Sequence, residues 1–137
     1  MNKLTIPKFL LFFISTSMMA QIDVSINDSL VLSLPQADSL SDLMPVLFSN
    51  QGCGRCVTTE NFLQTNGIDF IYLNLEMEEN RTIMYQAATR QAGKSNISIL
   101  YPVIIYKKEV YYGETPLLEF LESLKERIQL YETSRPN

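Results

Sequence analysis

The sequence predicts an α/β fold with elements in the order β-α-β-α-β-β-α, three layers built on a mixed four-stranded sheet. Three observations carry this. Short β-rich runs alternate with helix-period apolar stripes, glycines stand where two helices must stop, and two β-rich runs flank a charged turn as a hairpin does.

The first strand candidate is Val46-Leu47-Phe48, closed by the turn-like Ser49-Asn50-Gln51-Gly52. A helix then begins around the two cysteines and runs to Asn66, with Gly67 as its left-handed stop and Val57, Phe62 and Leu63 on its inner side. Residues 68–75, IDFIYLNL, are apolar on both alternating faces apart from Asp69 and Asn74, which predicts a central strand covered on both sides. Glu78 to Ala92 reads as a second helix. Glu78 and Glu79 suit its first turn through the helix dipole, Ile83, Met84, Ala87 and Ala88 form its stripe, and Gly93 ends it. Tyr101-Pro102-Val103-Ile104-Ile105-Tyr106 and Val110-Tyr111-Tyr112-Gly113 make the hairpin around Lys107-Lys108-Glu109. The last helix starts near Thr115 as cap, with Pro116 at the first helical position, and Leu117, Phe120, Leu121, Leu124, Ile128 and Tyr131 share one face. Two strand–helix–strand units imply right-handed crossovers and parallel pairing of the strands they join, with the hairpin as an antiparallel edge.

A length of 137 residues suits one domain, and 46% hydrophobic with 19% charged side chains is a globular rather than a disordered composition. A net charge of −4 removes the electrostatic case for nucleic acid as a partner. The start of the chain has a separate character. MNKLTIPK carries Lys3 and Lys8, and FLLFFISTSMMA supplies a short apolar stretch, the order of a secretory signal peptide over residues 1–20 with Ala20 last. The stretch is shorter than the roughly 20 apolar residues of a membrane span; an uncleaved anchor is the alternative. The protein is therefore expected to be exported, periplasmic or extracellular, with no transmembrane segment once the signal is removed. Residues 21–43 read as an extension or linker, 44–131 as the domain and 132–137 as a tail.

The chemistry rests on QGCGRC, residues 51–56, which holds the only two cysteines. A structural zinc site needs about four ligands, and the chain has two cysteines and no histidine. A metal site is therefore not expected, although a cluster shared across a dimer is a weaker possibility. A purely structural disulfide is a second reading, but a loop this short constrains little of the unfolded chain. The third reading is a reactive dithiol. Residues three apart on a helix are neighbours, and Cys53 at the helix amino end would have its thiolate stabilised by unsatisfied N–H groups and the dipole. Arg55 adds a nearby cation, and Gly52 and Gly54 leave the sulfur open. Cys56 lies one turn in.

PVLFSNQGCGRC, followed by a helix, a strand, a second helix and YPVIIYKKEVYYG, resembles glutaredoxins and the wider thioredoxin-like superfamily over roughly residues 45–130. The resemblance implies that Pro102 is cis and faces the cysteines, and that the backbone of Tyr101 pairs with an extended substrate segment. Gly54, Arg55, Tyr101 and Pro102 are thus the candidate substrate-binding residues, beside the catalytic pair Cys53 and Cys56. Departures stand beside it. The lysine that glutaredoxins commonly carry before the active-site loop is here Asn50, their Thr-Val-Pro becomes Leu100-Tyr101-Pro102, and their Gly-Gly or Gly-Cys followed by Asp becomes Tyr112-Gly113-Glu114-Thr115. Two side-chain handles for glutathione are missing or altered. No cofactor is expected; glutathione is disfavoured, and the partners are protein thiols or disulfides with a protein redox partner. The function expected is an exported thiol–disulfide oxidoreductase in which Cys53 attacks and Cys56 resolves. The alternative is a non-catalytic binding module of the same fold whose cysteines form a local bond. Without histidine, any side-chain proton acceptor would be a carboxylate such as Glu60 or Glu114.

Overall fold

A computed structural model describes residues 27–136. The signal-peptide segment, and the alternating Ile22-Asp23-Val24-Ser25-Ile26 that could have added a strand, lie outside the described residues. The elements are α1 (Leu34–Ser41), β1 (Val46–Ser49), α2 (Gly54–Thr65), β2 (Ile71–Asn74), α3 (Glu78–Ala92), β3 (Val103–Tyr106), β4 (Glu109–Tyr112) and α4 (Leu117–Thr133). From β1 onward this is the predicted order.

The four strands form one mixed sheet in the order β2-β1-β3-β4. β1 runs parallel to β2, with Val46 opposite Ile71 and Ser49 opposite Asn74. It runs antiparallel to β3, with Val46 opposite Ile105 and Phe48 opposite Val103. β4 completes the hairpin, Ile104 facing Tyr111.

Side chains alternate across the sheet, so the strands divide between two cores. Val46, Phe48, Leu73, Val103 and Ile105 pack with Ala37 of α1 and with Ile83, Met84, Ala87 and Ala88 of α3. Leu47, Ile104 and Tyr106 face the other way, against Leu63 of α2 and Leu121, Leu124 and Ile128 of α4. The α3 stripe is the predicted one, and Gly67 and Gly93 take the left-handed φ of +64° and +66° expected of helix stops.

Five readings are corrected. The extension 21–43 contains a helix, α1, opened by a reciprocal capping box: the Ser33 N–H donates to Gln36 Oε1 at 2.8 Å, and Ser33 Oγ accepts from the Gln36 N–H. Its inner residue Ala37 is fully buried, so residues 34–41 are part of the fold. β2 is an edge strand rather than a central one; its two apolar faces reflect cover by helices on both sides, which periodicity cannot distinguish from a central place in the sheet. The second strand–helix–strand unit does not give parallel pairing, because residues 93–102 carry no helix or strand and run back along the sheet before β3. Ten residues can span far more than a four-residue strand, at about 3.3–3.6 Å each, so β3 enters from the opposite end. Lastly, Val57 is 51% exposed. The inner face of α2 is Cys56, Thr59 and Leu63, and Val57, one residue past Cys56, is turned roughly 100° away from it. The final helix also begins one step later than expected, with Pro116 as its cap and no side-chain capping bond.

Candidate active site at the amino end of α2

β1 ends at Ser49 and the loop Asn50-Gln51-Gly52 delivers the chain to α2, of which Cys53 is the N-cap, extended at φ −92° and ψ 106°. Its sulfur accepts the Cys56 N–H at 3.2 Å, so it satisfies one of the donors a helix start leaves open. Cys53 is partly exposed, whereas Cys56 is fully buried. The two are joined as a disulfide, with Cα atoms 5.2 Å apart. The geometry is therefore asymmetric: one sulfur at the surface on a helix amino end, the other beneath it.

Gly54 is exposed, and a Cβ built there would meet nothing within 4 Å. The neighbourhood of the pair is thus sterically open. Pro102 is buried, and the Tyr101–Pro102 peptide is cis, as the resemblance implied. The Tyr101 side chain turns toward the core containing Val103. Burial, with Tyr85 alongside, pushes its hydroxyl pKa up.

Arg55 is held rather than solvated. Its Nε–H donates to the Tyr101 carbonyl at 3.1 Å and its Nη2 to the Glu114 carbonyl at 2.7 Å. One side chain therefore connects α2, the residue before the cis proline and the loop before α4. Sequence reading placed Arg55 beside Cys53 but missed these anchors, which lie 46 and 59 residues away and leave no local signal.

Of the two carboxylates considered as proton acceptors, Glu114 contributes its main-chain carbonyl to Arg55. Glu60, one helical turn beyond Cys56, receives the hydroxyl of buried Ser49 at 2.5 Å. Tyr72 lies by the same serine; burial above all, with the Glu60 charge adding to it, raises its pKa against the opposing Ser49 hydrogen bond. Among the described residues no group of three or more histidine, cysteine, aspartate or glutamate side chains comes together as a metal site.

A glutaredoxin family model matches residues 46–110, from the start of β1 into β4. Glutaredoxin C1 from Populus tremula x tremuloides, in its holo form, is 18% identical, covering 74% of this chain and 97% of its own at a TM-score of 0.49. Buckwheat glutaredoxin in complex with glutathione is also 18% identical, with 70% and 78% covered and a TM-score of 0.44. No curated protein matches the chain. The mixed sheet with helices on both faces is that of a thioredoxin-like fold, and within it residues 46–110, which hold the cysteine pair at a helix start, are similar to a glutaredoxin domain. A cysteine pair so placed in such a domain is the equipment of thiol–disulfide oxidoreductases as a class.

Proposed function

We propose that the chain is an exported thiol–disulfide oxidoreductase with Cys53 as nucleophile and Cys56 as resolving thiol. One observation carries the assignment of roles: Cys53 is partly exposed and accepts a backbone N–H at the helix amino end, while Cys56 is fully buried one turn behind. In the reduced protein the Cys53 thiolate attacks one sulfur of a substrate disulfide, forming a mixed disulfide and expelling the other sulfur as thiolate. Cys56, deprotonated, then attacks the Cys53 sulfur and expels the second substrate thiolate. Two electrons pass to the substrate, and the Cys53–Cys56 bond seen in the structure is the product.

The partner is a protein thiol or disulfide rather than glutathione. What supports this is Asn50 in place of a lysine and Glu114 offering a carbonyl to Arg55 instead of a free handle. An extended substrate segment passes along Tyr101, Pro102 and Gly54.

The deciding experiment is reduction of insulin or a peptide disulfide by the reduced protein. Cys53→Ser is expected to abolish turnover. Cys56→Ser is expected to accumulate a covalent mixed disulfide visible by mass spectrometry and released by dithiothreitol. Turnover by Cys53→Ser equal to that of the unmodified protein would end this reading and leave the binding-module alternative.

A further inference from the structure

Arg55 occupies the second helical position of α2, between the two cysteines. Its two hydrogen bonds go to main-chain carbonyls of segments that have no helix or strand ladder at those positions. The two segments are tied to each other by only one described backbone bond, from the Gly113 N–H to the Leu100 carbonyl at 3.1 Å. Residues 100–102 and 113–114 therefore converge on a single guanidinium. The bonding differs from that of the two arginines held by carboxylates, Arg90 on Asp38 and Arg127 on Glu109. Among the described residues Arg55 makes no ion pair, and both of its hydrogen bonds go to backbone.

A planar guanidinium presents its donors in a fixed fork, so two carbonyls bound to it are fixed in direction as well as distance. One of them belongs to Tyr101, the residue before Pro102 and the one along which the proposed substrate segment runs. Resting on the oxidoreductase reading above, we infer that Arg55 is a positioning residue: it assembles the peptide-docking edge of the site by locking the Tyr101–Pro102 segment and the Glu114 loop onto the amino end of α2. It acts on the binding of an extended polypeptide and not on the sulfur chemistry. A disulfide too small to lie along that edge has no use for it.

The inference separates two substrates. Arg55→Met keeps most of the aliphatic stem and removes both hydrogen bonds. With a cysteine-containing peptide disulfide as substrate, its KM is expected to rise about tenfold with kcat nearly unchanged, the scale of a lost charge-assisted hydrogen bond. With 2-hydroxyethyl disulfide, the loss in kcat/KM is expected to be at least about fivefold smaller than the loss on the peptide, because no docking bond is lost. Arg55→Lys restores the peptide KM only in part, since one ammonium cannot hold both carbonyls in the fork geometry. A readout independent of turnover accompanies these: amide exchange at Gly113, which rises about tenfold in Arg55→Met as the bridged segments loosen.

An equal loss on both substrates, fully restored by Arg55→Lys, would overturn the inference and make Arg55 a charge acting on Cys53. Unchanged peptide KM together with unchanged Gly113 exchange would overturn it as well. If the unmodified protein reduces neither substrate, the oxidoreductase reading fails by itself, and exchange at Gly113 alone decides whether Arg55 braces the two segments.

Discussion

Cys53 accepts the N–H of Cys56 through its sulfur, and that bond ties a chemical role to a position in the fold. A helix start leaves donors without partners, and a thiolate is well suited to take one of them. Cys56, three residues on and nearly on the same face, lies one turn further into the fold and is fully buried. Asp38 makes a different point at this scale. Both of its carboxylate oxygens meet the Arg90 guanidinium, at 2.8 and 2.9 Å, and the hydrogen bond from Arg90 holds its pKa below the ordinary carboxylate value against the opposing effect of burial. A carboxyl whose pKa is depressed on folding adds stability above its unfolded pKa, near pH 4, and loses it as pH falls through the lower folded value. Arg90 is 47% exposed, so solvent screening keeps the pair to about 0.5 kcal/mol. Asp38→Asn is therefore expected to lower stability by that amount in urea unfolding at pH 7. The gap from the unmodified protein should close progressively below about pH 4.

The α1 helix and the β3–β4 turn support one another. The turn has only two residues, Lys107 and Lys108, and both take positive φ, 53° and 64°, where asparagine and glycine are usual. Three bonds from the carboxyl end of α1 hold it: the Lys107 N–H donates to the Ser41 carbonyl at 2.8 Å, the Lys108 N–H donates to Ser41 Oγ at 3.0 Å, and the Lys107 ammonium reaches the Asp42 carbonyl. Left-handed backbone at lysine costs about 1 kcal/mol or more, while glycine removes that strain at the expense of greater freedom when unfolded. Lys108→Gly is expected to stabilise the protein by a net of about 0.5 kcal/mol, a Tm rise of roughly 2–3 °C by calorimetry. The exposed Lys108–Asp42 pair that it removes contributes little. A lower Tm would mean that the lysine side chain matters more than the backbone strain. The helix half of this pairing was legible in Ser33-Leu34-Pro35-Gln36, a capping-box spacing with proline in the first turn, but the polar Ser- and Asp-rich surroundings masked it. The turn half was legible only as a charged hairpin loop, because nothing in Lys107-Lys108 announces positive φ.

Expressed in a secretory host, the chain should yield a product whose intact mass and amino-terminal sequence begin at Gln21; a product retaining Met1 in the membrane fraction would instead support the anchor. Local order in the domain was written in the chain: the helix stops at Gly67 and Gly93, the α3 stripe of Ile83, Met84, Ala87 and Ala88, the hairpin, and the cysteine pair at a helix start all follow from short-range sterics and periodicity. The sheet order was not, because a strand buried on both faces reads alike at the edge and at the centre, as β2 did. Nor was the reversal of β3, which depends on how far the irregular residues 93–102 travel before pairing. The site divides in the same way. The sequence by itself displayed the cysteine pair at a helix start, since short-range helix signals place Cys53 at the amino end and Cys56 one turn in. Only the tertiary structure decided what Arg55 does, because its partners are carbonyls at Tyr101 and Glu114, brought to it by chain closure over 46 and 59 residues, and a backbone carbonyl carries no side-chain identity for a sequence to display.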